Sequence, residues 1–398
     1  MRITFLGDII ISKEQLASHK TGDGYDFSAV KNSLNGTFSG SDYVVANLET
    51  SVAGSELGYT DSEYSFNTPS ELLDTLKDTG INMLQTANNH CLDRGVEGLR
   101  NTMSAISDKG LKYIGTHLTE EDSYTVVEIA GIKVGFLAFT YGTNAFDNGC
   151  YLKKNESYMV DLLQKQELSG SFERMIYSSD NRVNRYSKKM LGKIDPKRYD
   201  APVYERPEPC KEERIRMREQ IRKCKEEGGA EFVVVLLHIG GQFNAVPSEY
   251  TVEVCEDCKN NGADLVIANH EHVIHPFKNG SSFCWYSLGN FLSSDGVWNE
   301  PFDNLCQYSA VVHADLERSE DRLISKYSFE LFLSHENDEG QIVSEPVYEV
   351  FDKCNDESKK QNIRHECEVL LNRIYGTTDC SYEMQPSYEV EAAGDIKL

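Results

Sequence analysis

"ADLVIANHEH", residues 263–272, starts as a β-branched apolar run and ends in two histidines. Leu265 to Ala268 read as a buried strand, because a short apolar run bounded by turn residues suits a strand covered on both faces. His270 and His272 stand two positions apart, and side chains two apart in an extended segment share one side. Other strand-like runs stop in the same way. Asp8 follows "RITFLG" (2–7), and Asn47 and Glu49 close "YVVANLE" (43–49). Asn89 and His90 close "MLQTANNH" (83–90), and His238 closes "VVVLLH" (233–238). One histidine after one strand is ordinary structural chemistry. Recurrence at five strand ends is not, since sites in α/β sheets assemble just beyond the carboxyl ends of strands.

Two further runs, "IKVGFLAFT" (132–140) and "FCWYSLGNF" (283–291), also read as strands. Helical patterns lie between many of these runs. "TPSELLDTLKDTG" (68–80) is read with Thr68 as N-cap, Pro69 at the first helical position and Gly80 as the stop. "RGVEGLRNTMSAISDKG" (94–110) likewise ends on Gly110. Such alternation places the chain in the α/β class, with helices covering the sheet faces. Residues 151–230 break the rhythm and read as a charged, helical insertion. Within it "RVNRYSKKMLGKIDPKR" (182–198) sets seven basic residues against Asp195. A solvated face is the favoured reading there, with a basic flap over an anionic substrate as the alternative. The strand candidates "YSAVVHADLE" (308–317) and "ISKYSFELFLS" (324–334) follow, then the helix "ESKKQNIRHECEVLLNRIYG" (357–376). The expected organisation is a main domain over 1–305, strands and a helix completing or flanking it over 306–376, and a loosely held acidic tail over 377–398.

Composition narrows the function classes. The chain has 398 residues, 39% hydrophobic and 26% charged, enough to bury a large core. A formal charge of −24 opposes binding to nucleic acid or an anionic membrane surface, both of which need a positive field. The same field concentrates divalent cations. No run approaches the ~18 apolar residues of a membrane span, and "MRITFLGDIIIS" lacks the h-region of a signal peptide. With 11 scattered cysteines, reduced thiols in a cytoplasm are expected. Cys255 and Cys258 form a lone CxxC, read as buried helix-face thiols rather than a zinc site.

Carboxylate, amide and imidazole donors without thiolate suit a hydrated Mn, Fe or Zn centre. A carboxylate such as Glu49 can bridge two cations. No GxSxG, P-loop or GxGxxG is present. "GDIIIS" (7–12), "NLET" (47–50), "ANNHCLDRGVEGLRNT" (87–102), "LLHIGGQF" (236–243), "GADLVIANHEHV" (262–273) and "YSLGNF" (286–291) occur in that order. Together they resemble the CapA family of poly-γ-glutamate capsule-synthesis proteins, within the calcineurin-like metallophosphoesterase superfamily.

The resemblance implies a four-layer αββα sandwich, carrying the insertion and a C-terminal extension, with one or two divalent ions (Mn, Fe or Zn) at one sheet edge. By position Asp8, Glu49, Asn89, His238, His270 and His272 would be metal ligands, with Glu49 bridging. His90 would be the catalytic imidazole and Asp93 the carboxylate that orients it. Asn47, Asn88 and Asn290 are expected to meet substrate. The implied activity is that of a hydrolase or transferase using a metal-activated water on a phosphate or γ-glutamyl-type anionic small molecule or polymer. Envelope or biosynthetic proteins are the implied partners. A non-catalytic accessory protein that keeps the fold is the second reading. It is suggested by Ile10 where the superfamily has a histidine, by Gln242 where the family has an acid, and by Ala268, Asn269 and Glu271 around the histidine pair.

Overall fold

The computed structural model describes residues 1–62, 64–166, 211–243, 245–280, 282–294, 304–320 and 322–397. The basic stretch 182–198 lies outside them. Chain order begins with β1 (Arg2–Ile9), a small hairpin of β2 (Lys20–Thr21) and β3 (Gly24–Tyr25), β4 (Tyr43–Leu48), β5 (Met83–Gln85) and β6 (Lys112–Ile114). Next come β7 (Tyr124–Ile129), β8 (Ile132–Thr140), β9 (Phe232–His238), β10 (Leu265–Asn269), β11 (Phe277–Lys278) and β12 (Phe283–Trp285). The last strands are β13 (Asn290–Leu292), β14 (Tyr308–Ser319), β15 (Arg322–Glu336), β16 (Ile342–Pro346) and β17 (Tyr388–Lys397).

Two main sheets result. Among the described residues the first runs β16-β15-β14-β1-β4-β5-β6, with β13 also on β1 and β17 on β15; the second runs β11-β12-β10-β9-β8-β7. The fold is therefore mixed α/β. Period-two alternation decides which side chains face where. Ile3 and Phe5 of β1 share a buried cluster with Phe136, Val234 and Ile267 of the second sheet. Leu6, Val44 and Leu84 instead pack with Val30, Leu72, Leu76 and Ile106 from helices. On the second sheet, Leu137, Val233, Val235 and Leu237 pack with Met217, Ile221, Val254 and Cys258 of the helices Lys211–Glu226 and Glu249–Asn260. Cys255 and Cys258 are fully buried there, where burial pushes both thiols up, so neither is poised to ionise.

Three expectations change. "FCWYSLGNF" is not one strand: β12 belongs to the second sheet and β13 to the first. Gly289 sits between them at φ 76, and a Cβ there would lie 2.6 Å from the Tyr308 carbonyl oxygen. The helix after Thr68 begins later, at Glu71, with Ser70 as its N-cap. Thr68 does not cap it; its hydroxyl pairs with that of Thr50 at 2.8 Å instead. Tyr388–Lys397, expected within a loose tail, pairs antiparallel with β15. No helix among the described residues is long and apolar enough to cross a membrane.

Candidate metal centre

Both sheets deliver polar side chains to one pocket. Asp8 lies near the end of β1, in register with Asn47 of β4 and Asn290 of β13. Gly7 precedes it because backbone crowds that position: a Cβ on Gly7 would lie 2.0 Å from the Gly289 carbonyl oxygen. The Asp8 N–H donates to that same oxygen at 2.9 Å, fixing the carboxylate at the seam. Glu49 is one residue beyond β4, and Asn88, Asn89 and His90 are on the loop after β5. From the second sheet come His238, which ends β9, and His270 and His272, just past β10. His270 and His272 hold φ values of 102° and 58°, in the left-handed region that non-glycine residues rarely enter. Each such residue costs on the order of 1–3 kcal/mol, which the surroundings must over-determine.

Ligand atoms of Asp8, Glu49 and His238 converge within 4.8 Å of one another, as do those of Glu49, His270 and His272. Glu49 is common to both groups. It is 0% exposed, and neither of its oxygens has a hydrogen-bond partner. Three imidazole nitrogens surround its Oε1 instead: His238 Nε2 at 3.4 Å, and the Nε2 atoms of His90 and His272 at 3.9 Å each. His238 Nε2 also lies 2.8 Å from Asn89 Oδ1, so two oxygens face one ring nitrogen. His272 Nδ1 lies 3.3 Å from Asp8 Oδ2.

The electrostatics follow from burial and proximity. Burial and the Glu49 charge push Asp8 above its ordinary value. Burial would do the same to Glu49, but the charges of His238, His272 and His90 outweigh it and hold the carboxyl at about 2. Burial opposes charge on His272, yet Glu49 and Asp8 raise it to about 9. His272 and His90, both raised toward their charged forms, can thus supply positive charge to these carboxylates. A divalent ion could supply it equally well, and the donor set contains no thiolate to close a structural site.

His90 has a partner of its own. Its Nδ1 lies 2.7 Å from Asp93 Oδ2, and its raised value reflects that carboxylate overcoming burial. Asp93 also accepts from the Phe66 N–H at 2.6 Å and from Asn148 Nδ2 at 3.0 Å. The three asparagines expected to meet substrate have their amides engaged by pocket residues and neighbouring backbone. Asn47 donates to Asp8 Oδ1 at 2.6 Å and accepts from Asn88, which also donates to the Leu48 carbonyl and accepts from the His90 N–H. Asn290 faces His272 Nδ1 at 3.0 Å and donates to the carbonyls of His272 and Cys306. All three are buried, with both ends of each amide engaged inside the protein.

Rings that the sequence reading overlooked wall the pocket. Tyr141 lies 4.4 Å from His270, Phe66 4.5 Å from His90 and Phe243 5.3 Å from His272. Tyr141 directly follows β8 and shows the same strand-end signal; Phe66, Phe243 and Asn148 carry none.

A family model described as "Bacterial capsule synthesis protein PGA_cap" matches residues 2–295. The chain belongs to this family. Every residue of the pocket described so far, apart from Cys306, falls within that PGA_cap match. Among its relatives, the PGA biosynthesis protein CapA of Bacillus subtilis (strain 168) is 24% identical over 314 residues, 77% of this chain and 66% of the relative. The capsule biosynthesis protein CapA of Bacillus anthracis is 26% identical over 318 residues, 77% of this chain and 63% of the relative. The match therefore spans slightly less than two thirds of either relative's length. A solved structure titled GAP50, the anchor in the inner membrane complex of Plasmodium, aligns over 96% of this chain and 99% of its own at 10% identity. Its TM-score is 0.31, too low to support any reading of this PGA_cap chain.

Proposed function

We propose that this chain is a divalent-metal-dependent hydrolase or transferase acting on a phosphate or γ-glutamyl-type anionic substrate, in the service of poly-γ-glutamate or capsule synthesis. One observation carries the metal: Glu49 is a fully buried carboxylate with no well-formed hydrogen bond, ringed by imidazoles of which the nearest, His238 Nε2, lies 3.4 Å away. Buried charge of this kind costs several kcal/mol unless it is paired or coordinates a cation. The two convergent groups sharing Glu49 favour two ions, with Asp8 and His238 on one side and His270 and His272 on the other. Asn89 would add an amide oxygen beside His238.

When bound, such ions supply an acidified water and neutralise charge at the attacked centre. His90 would deliver the proton to the leaving atom. Its ring is suited to that, since Asp93 fixes Nδ1 and leaves Nε2 turned toward Glu49. Asn47, Asn88 and Asn290 would orient Asp8, His90 and His272, a supporting role consistent with their internal hydrogen bonds. The two sheets around a shared core, each with helices on its other side, support the four-layer αββα arrangement for the whole domain. The names of the relatives favour a polymer-related substrate and biosynthetic partner proteins.

The test is metal analysis of the purified chain, followed by aryl phosphates, cyclic nucleotides and γ-glutamyl peptides assayed with and without Mn²⁺. Near-stoichiometric metal with Mn²⁺-dependent turnover is expected. Metal well below one ion per chain under all growth conditions would sink the proposal.

A further inference from the structure

Three residues beyond the family match reach back to the metal pocket. Arg373 lies on the helix Glu357–Tyr375, and its Nη1 donates to the Ile274 carbonyl at 3.3 Å and the Asn304 carbonyl at 3.1 Å. Burial draws its guanidinium down to about 10, and no carboxylate among the described residues pairs with it. A half-buried cation without a carboxylate partner relies on its hydrogen bonds to offset lost hydration, so these two charge-assisted bonds hold both carbonyls.

Each carbonyl leads to His272. Ile274 is two residues past it. The Asn304 side chain donates to the Phe243 carbonyl at 2.7 Å, and the Phe243 ring lies 5.3 Å from that of His272. The Phe243 N–H closes the circuit by donating to the Glu271 carbonyl at 2.8 Å. Cys306, two residues past Asn304, accepts from Asn290 at 2.9 Å, and that same amide faces His272 Nδ1. His272 keeps its left-handed backbone only while such contacts over-determine it.

We propose that Arg373 is a positioning residue for the metal centre: it pins the 304–306 loop against Ile274 and thereby fixes His272 toward Glu49. The inference rests on the metal reading given above. Its scope is different, because it makes the C-terminal helix, outside the family match, a working part of the pocket.

Mn²⁺ titration of the full chain by calorimetry tests it, with wild type, Arg373→Met, Arg373→Lys and Asn304→Ala compared. Arg373→Met weakens the ion served by Glu49, His270 and His272 by about 10–100-fold, the usual cost of losing outer-shell support. An ion at Asp8, Glu49 and His238 keeps close to its wild-type affinity. Arg373→Lys, still cationic and able to reach a carbonyl, recovers most of the loss. Asn304→Ala, which cuts the link at its other end, moves affinity in the same direction as Arg373→Met. Unchanged Mn²⁺ affinity in Arg373→Met overturns the proposal. So does an equal loss at both ions that lysine does not rescue, since that marks general destabilisation. If Arg373→Met does not fold, Asn304→Ala decides alone, and wild-type affinity there overturns the proposal. Wild-type chain that takes up no Mn²⁺ overturns the metal reading and this proposal with it.

Discussion

His90–Asp93 and His117–Asp161 are both buried imidazole–carboxylate pairs with a 2.7 Å contact, yet their surroundings differ. Asp161 is saturated: its Oδ1 accepts from Ser123 Oγ at 2.6 Å and from Arg216 Nη2 at 3.1 Å, while Oδ2 faces His117. Its backbone bonds to Gly115 and Thr140 add two further ties. The positive charge it requires comes from inside the protein. Beside His90, by contrast, Glu49 has no well-formed hydrogen bond: its nearest nitrogen, His238 Nε2, stands 3.4 Å away, and no arginine or hydroxyl among the described residues reaches it. Neither convergent group of ligand atoms among the described residues includes His117 or Asp161. Unmet acceptor capacity, rather than the presence of histidine and acid, separates the candidate centre from the clasp.

The sharpest way to break this contrast is Glu49→Gln, which keeps shape and removes charge. Metal uptake should fall by more than about 100-fold, beyond the cost of an outer-shell change, as read by elemental analysis. The Tm of the metal-free protein should fall, because the imidazoles that hold Glu49 at about 2 lose the charge that offsets their own. Next in size is His90→Ala, expected to cut turnover by about 10²–10⁴-fold while metal content stays intact. Equal loss of both would place His90 among the ligands.

Asp161→Asn should part from Glu49→Gln in metal uptake alone. It should cost about 2 kcal/mol of stability, less than a fully buried pair because Arg216 is partly exposed, and leave metal uptake unchanged. Loss of metal in this variant would erase the distinction drawn here. The smallest effect is in pH. Burial lowers His117, but Asp161 and Glu121 more than compensate and raise it. A raised imidazole stabilises fully below its unfolded value near 6.5, and that contribution fades as pH rises through the folded value. The Tm gap between wild type and Asp161→Asn should therefore be widest near about pH 6 and narrow in alkali, keeping the share due to Arg216 and Ser123.

Strand ends were legible in the sequence because apolar runs stop abruptly at polar residues, and β1, β4, β8, β9 and β10 follow that pattern. The change of sheet at Gly289 was not, since one glycine inside an apolar run carries no mark of a turn between layers. The convergence of Asp8 with His272 could be suspected from matching strand ends, but the inward turn of Asn47, Asn88 and Asn290 depends on partners far along the chain. Asp161 and Arg373 were invisible for the same reason: each gains meaning only from neighbours dozens of positions away.

Ownership of the pocket by two sheets has a consequence for biogenesis. Asp8 and Glu49 leave the ribosome early, whereas His272 emerges more than two hundred residues later. Until the second sheet docks, His90 is the one pocket imidazole beside Glu49, and His238, His270 and His272 are still missing. A cation held as proposed would therefore be loaded late, as a seal on a finished assembly rather than a seed for it.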